Sequence, residues 1–189
     1  MAKFNNPMKV ITSPETLWSF VHAWEAKSIN DGTPKYSMQL RVPKTDKKTL
    51  SKIEKAMHAA YEDGQAKLKG TGKSIPSYES LKKPLRDGDE CFPDDPTYAG
   101  YMFLNANNTQ APGIVDADCQ PIIDRREVYS GCFGRVSISF YAFNTNGNKG
   151  IACSLNNLQK ISDGPMLGGH SRAEDDFADM DDDDDDFLN

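Results

Sequence analysis

No part of this 189-residue sequence approaches the roughly 18 consecutive apolar residues that a membrane-spanning helix requires. The opening residues, Met1 to Asn6, lead into no apolar signal-peptide core. The sequence therefore predicts a soluble, intracellular protein without a membrane partner. Cysteine is sparse: Cys91, Cys119, Cys132 and Cys153 lie far apart, with no Cys-x-x-Cys pair, and His22, His58 and His170 fall at no metal-ligand spacing. Free thiols are expected, with no metal and no cofactor. Gly72-Lys73-Ser74 ends like a phosphate loop but lacks the opening glycine of that motif, which excludes a nucleotide site of this kind. No internal repeat is visible.

Basic residues are missing from one stretch. Residues 174–189 hold 10 of the 28 acidic residues and no Lys or Arg, so the remainder sets 18 acids against 22 bases and carries about +4, although the whole chain is −6. A mildly basic body joined to a polyanion suggests that the body meets an anion which the tail imitates. The tail, Glu174-Asp175-Asp176-Phe177 and then Asp181 to Asp186 before Phe187-Leu188, has too few apolar residues to fold alone. It is expected to be disordered from 171 to 189, with Phe187 and Leu188 as docking points for partner proteins.

The body, residues 1–170, reads as one mainly β domain. Met8 to Ile11 and Leu17 to Trp24 are strand-like runs separated by Ser13-Pro14. From Lys35 to Pro43 apolar and polar residues alternate, placing Tyr36, Met38, Leu40 and Val42 on one face and Lys35, Ser37, Gln39 and Arg41 on the other. From Asp46 to Lys69 the period becomes helical, with Leu50, Ile53, Met57, Ala60 and Tyr61 on one stripe and Thr45 or Asp46 as the N-cap. Tyr98 to Ala106 and Gly113 to Asp116 are further predicted strands. Arg135 to Phe143 and Gly150 to Leu155 form a hairpin around Asn144 to Asn148. The pattern is that of a β-barrel or strongly curved sheet with an inserted amphipathic helix.

Strand parity identifies a candidate binding face. Opposite the core sets lie Tyr101, Phe103 and Asn105 on one strand and Arg135, Ser137, Ser139, Tyr141 and Phe143 on another. Rings mixed with cations suit single-stranded nucleic acid, because unpaired bases stack on aromatics while Lys and Arg neutralise the backbone. Tyr101, Phe103, Tyr141 and Phe143 are thus candidate stacking rings. Lys35, Arg41, Arg135 and Lys149 are candidate phosphate contacts, followed by Arg125 and Arg126. The alternative for each ring is packing in the interior. The cluster Asp87, Asp89, Glu90, Asp94 and Asp95 invites a metal-dependent nuclease reading, which turn chemistry in a Pro-rich loop explains as well. A third alternative is an interaction module or DNA mimic acting through the acidic tail alone.

Six segments together resemble a family of bacteriophage single-stranded-DNA-binding proteins: Lys35-Tyr36-Ser37 running to Val42-Pro43-Lys44, Gly88-Asp89-Glu90, Tyr129-Ser130-Gly131-Cys132, Phe140 to Asn144, Gly147 to Ile151, and Leu155 to Gln159. The resemblance spans nearly the whole chain. It implies an OB-type five-stranded barrel without enzymatic activity, binding single-stranded DNA in a sequence-tolerant way during phage replication, repair or recombination, in the cytoplasm of a bacterial host. It also implies replication or recombination proteins as partners of the tail. Tails of this kind commonly finish on Phe, whereas here Leu188 and Asn189 follow Phe187. The oligomeric state is left open.

Overall fold

The computed structural model describes residues 5–28 and 31–168. The expected tail, its boundary near residue 170 and the candidate docking residues Phe187 and Leu188 lie outside the described residues. Among the described residues, eight strands follow one another: β1 (Lys9–Ile11), β2 (Leu17–Lys27), β3 (Lys35–Pro43), β4 (Arg86–Asp87), β5 (Tyr101–Asn108), β6 (Gly113–Val115), β7 (Phe133–Thr145) and β8 (Asn148–Ser162). Five of them close a barrel in the order β2-β3-β5-β8-β7, with β7 meeting β2 again at Leu17 opposite Phe133. Every pairing in this ring is antiparallel except β5 with β8, the arrangement of an OB-type barrel. No helix among the described residues is long and apolar enough to cross a membrane.

The inward parity of β3 fills the core as the alternation requires, with Met38, Leu40 and Val42 buried against Leu104 and Ala106 of β5 and Val136, Ile138 and Phe140 of β7. Trp18 is fully buried, and its indole N–H donates to the Gly134 carbonyl at 3.2 Å. Gly134 has no room for a side chain, since a Cβ there would stand 2.6 Å from the Trp18 ring and 2.2 Å from the Gln159 carbonyl. The β7–β8 turn is tighter than expected: only Asn146 and Gly147, both at positive φ, separate the strands.

The helical segment lies between β3 and β5. Asp46 caps α1 (Lys47–Asp63) by accepting from the Thr49 N–H, and Ile53, Ala56, Met57 and Ala60 enter the core. The single helix expected over residues 46–69 is broken at Gly64, after which α2 (Gln65–Lys69) begins. Gly64 sits against β7 so closely that a Cβ would lie 2.3 Å from that of Ala142, so the chain has to turn there to keep following the barrel. Two strand boundaries also shift. Tyr98 is the buried residue of a 3₁₀ turn rather than part of β5, and β2 runs on past Trp24 to Lys27. Within β2, Ser19 opposes Gln39 and His22 opposes Ser37, so Phe20 and Val21 together face one partner residue: a β-bulge.

Candidate nucleic-acid interface

The second and third barrel strands, β3 and β5, present their outward parity side by side. Ser37 opposes Asn107, Gln39 opposes Asn105 and Arg41 opposes Phe103. The two ends of this face have different fates.

At the Arg41 end the face is covered by the segment leading into β5, which contains a one-turn helix, α3 (Gly88–Cys91), and the 3₁₀ turn Pro96–Tyr98. The carboxylates suspected of metal binding fasten this segment down. Asp87 and Asp89 both reach Lys44, at 2.8 and 2.6 Å, and Asp89 also accepts the Gly100 N–H. Asp95 accepts from the Thr97 hydroxyl and N–H. The Lys44 ammonium holds Asp87 and Asp89 below the usual carboxylate range, and the Thr97 hydroxyl does the same for Asp95. Among the described residues, no group of three or more His, Cys, Asp or Glu is placed to hold a metal ion.

Beneath this cover lie two of the residues expected to touch DNA, and their placement corrects that expectation. Arg41 is 3% exposed. Its Nη1 donates to the carbonyl and hydroxyl of Thr97 at 2.9 Å, its Nη2 to Ser19 at 3.0 Å and its Nε to Gln39 at 3.0 Å, while the guanidinium lies 3.8 Å over the Tyr98 ring. Phe103 is 1% exposed, packed by Tyr98 at 5.3 Å and Phe92 at 5.6 Å, with the Arg86 guanidinium 5.1 Å above it. Parity put both on the outer face correctly, but the 88–100 segment folds over that face and leaves neither free for a base or a phosphate. The ring that does emerge is Phe92, stacked on Tyr98 at 4.4 Å and still 43% exposed.

At the other end the face is open. Lys27 of β2 stands directly opposite Lys35 of β3, and a cleft of about 310 Å³ lies over them, lined also by Thr33, Ser37 and Asn107. Asn107 joins this cleft to a second one of about 140 Å³, lined by Pro84, Arg86, Asn105 and Ala152. Among the described residues, no carboxylate lines either cleft. His22, opposite Ser37, has its pKa lowered by burial and by the Lys27 charge, so it stays neutral there. Like charges directly opposed across a strand pair destabilise the sheet. A phosphate bridging Lys27 and Lys35 would reverse the sign of that interaction.

The other expected contacts are dispersed. Tyr141 is exposed and pairs with Ala152, two strands from Asn105, and burial raises its hydroxyl pKa. Phe143 is half-buried opposite Gly150, and Tyr101 is half-buried opposite Pro43. Arg135 donates to Gln159, six residues and roughly 20 Å along β7 from Tyr141. Lys149 flanks the β7–β8 turn. Arg125 pairs with Glu25 at 2.7 Å; Arg126 pairs with Asp124 and drives that carboxyl down to about 2. Of the expected set, only Lys35 lines the open clefts.

The sequence assigned no contact to Lys27, Arg86, Phe92 or Asn107, and placed Asn105 on the candidate face without giving it a contact. Lys27 and Lys35 flank the same short connection between alternating strands, a signal that was available. Phe92 stands alone in an Asp/Pro-rich loop, where nothing local marks it.

A family model described as Enterobacter phage Enc34, ssDNA-binding protein, matches residues 8–188. The chain belongs to this family. Among solved structures, the barrel resembles the Enc34 single-stranded DNA-binding protein in complex with ssDNA, with a TM-score of 0.67 and 24% identity over 85% of this chain and 90% of that one. A C-terminal truncation of the same bacteriophage protein gives a TM-score of 0.69 and 20% identity, over 85% and 88% of the two chains. At these identities the likeness establishes the Enc34 fold. A curated relative, "Putative protein p50" of Acyrthosiphon pisum secondary endosymbiont phage 1, is 36% identical over 99 residues, 51% of this chain. The match spans about half, 52%, of that relative's length.

Proposed function

We propose that the open outer face of β3 and β5 binds single-stranded DNA without base-specific readout. One observation carries this reading: Lys27 and Lys35, opposed across the β2–β3 pair, line a cleft in which no described residue supplies a carboxylate and which continues through Asn107 and Asn105 to Arg86. The face formed by the second and third strands is also the one on which OB barrels bind oligonucleotides. The backbone phosphates lie along the cationic track, and bases stack on Phe92, with Tyr141 as a second platform further round the barrel. Stacking accepts any base, because every base has a π-face. Tyr101, Phe143, Arg135, Lys149, Arg125 and Arg126 form an outer ring of contacts, reached only by longer strands.

The work done is coating and protection rather than bond cleavage. Asp87, Asp89 and Asp95, which a nuclease would need for metal, are engaged by Lys44, Gly100 and Thr97. The setting that fits is phage DNA replication, repair or recombination in the cytoplasm of an infected bacterium. Residues 1–170 serve as the binding domain, and the acidic stretch from 171 competes for the cationic track while offering Phe187 and Leu188 to partner proteins.

The test is fluorescence anisotropy with single-stranded DNA, duplex DNA and RNA of equal length, comparing the native chain with Lys27→Glu/Lys35→Glu. Single-stranded DNA is expected to bind best, and the double variant to lose at least tenfold in affinity at low salt. A chain deleted for residues 174–189 is expected to bind more tightly, most visibly at low salt. Equal affinity in the native and Lys27/Lys35 proteins removes the site. Degradation of a labelled oligonucleotide with magnesium or manganese would restore the nuclease reading.

A further inference from the structure

A second cationic cleft lies away from this face. It has a volume of about 470 Å³ between β1 and α1, lined by Pro7, Lys9, Val10, Ile11, Lys52 and Lys55 with the nearby Asn5 and Asn6. In the sheet order, β1 is separated from β3 by β7 and β2, so the cleft does not share the DNA face. Its chemistry is mixed in a particular way. Lys52 and Lys55 are three residues apart on α1 and therefore neighbours on its surface, and Lys9 faces them from β1. Among the described residues, none of the three has an ion pair and no acid lines the cleft. Lys52 also acts on Asp46, the helix cap, whose pKa is lowered by the Ser13 and Thr49 hydrogen bonds and by the Lys52 charge. Beside these cations Ile11 is 53% exposed, an apolar side chain left in water.

A ligand for this cleft has to be anionic along most of its length and apolar at one point. The chain carries such a segment outside the described residues: Asp181 to Asp186 followed directly by Phe187 and Leu188. Its reach suffices. The described chain ends just after Leu167, whose N–H is held by the Ser130 carbonyl at 2.8 Å. Ile11 pairs with Ser137, seven residues further along, roughly 20–25 Å away. The 13 peptide links from Gly168 to Asp181 span up to about 45 Å. Tethering places the anion at an effective concentration in the millimolar range, so a contact too weak to hold a free peptide still becomes occupied.

We infer that the β1–α1 cleft is the resting place of the chain's own residues 181–188 once DNA has taken the outer face, with the aspartates on Lys9, Lys52 and Lys55 and Phe187 against Ile11. This rests on the reading of the tail as a competitor for the DNA track. Displacement would then transfer the tail rather than release it, and DNA would bind more tightly than it does against a tail with nowhere else to go.

Amide NMR spectra of the full chain test this directly. The native protein is compared with a variant in which Asp181 to Asp186 are all replaced by Asn, each with and without a saturating oligothymidylate. The expected result is a cluster of shift differences at Lys9, Ile11, Lys52 and Lys55 in the DNA-saturated samples, lost when Lys52→Glu/Lys55→Glu is introduced. No differences at these amides in the DNA-bound state would overturn the inference. Differences that grow with protein concentration would also overturn it, by assigning the docked tail to a neighbouring copy. Failure of the competition reading has a separate signature: no differences at Lys27, Lys35 and Asn107 in the DNA-free samples.

Discussion

The two ends of the β3–β5 outer face begin alike and finish differently. Both carry polar and cationic side chains on the same parity, yet Arg41 is enclosed by Thr97, Gln39, Ser19 and Tyr98, whereas Lys27 and Lys35 are left opposed in an open cleft. A guanidinium with four hydrogen bonds to groups inside the protein builds structure. Two ammonium groups with no ion pair among the described residues make a demand on something else. The comparison separates a scaffold from a binding surface on one pair of strands, and it does so through satisfied and unsatisfied charge rather than residue type.

The largest effect should come from the covered end. Arg41→Ala removes four hydrogen bonds from buried or partly buried partners, and a loss of about 3 kcal/mol in unfolding free energy is expected from denaturant melts. Phe103→Ala should cost a similar 3–5 kcal/mol. A stable Arg41→Ala protein with abolished DNA affinity would break the comparison by making Arg41 a contact residue.

Phe92 lies on the border between the two ends, and it sharpens the contrast. Phe92→Ala should weaken single-stranded DNA binding by about 1–3 kcal/mol in anisotropy titrations, the stacking of one base, with a smaller effect on stability because the ring is already 43% exposed. The smallest effect is the most diagnostic. Lys27→Ala should leave stability unchanged or raise it by about 0.2–1 kcal/mol by relieving the like-charge pair, while lowering the salt dependence of binding by roughly 0.7 in log–log slope. A destabilised Lys27→Ala protein would mean that the lysine is internally paired after all.

Much of the barrel could be read in advance because its strands obey simple periodicity. Met38, Leu40 and Val42 of the alternating strand and Ile53, Met57 and Ala60 of the helical stripe are buried as promised, while Tyr36 at the strand's start is only half-buried. The departures come from places where a local rule is overridden by something distant. The bulge at Phe20 inserts a residue into β2, so parity counted from Trp18 fails beyond it, and Trp18 and Trp24 end in different environments. Phe20 itself adopts φ of +47° and is 60% exposed, a backbone state that bulky residues rarely hold and that costs on the order of 1–3 kcal/mol. Parity placed Arg41 and Phe103 together on the outward face, but no periodicity shows that the Asp/Pro-rich segment folds across half of it. The lids on Arg41 and Phe103 are tertiary, and so is the emergence of Phe92.

The closure of the ring has a temporal consequence. β3 and β5, which form the proposed DNA face, are complete by residue 108, but the barrel seals only when residues 133–162 return to pair with β2 and β5. Such long-range pairing is slow to nucleate. A chain emerging from the ribosome therefore holds its cationic strands without a hydrophobic floor until nearly the whole body has been synthesised, so translation itself delays the moment at which the surface becomes rigid enough to grip a strand.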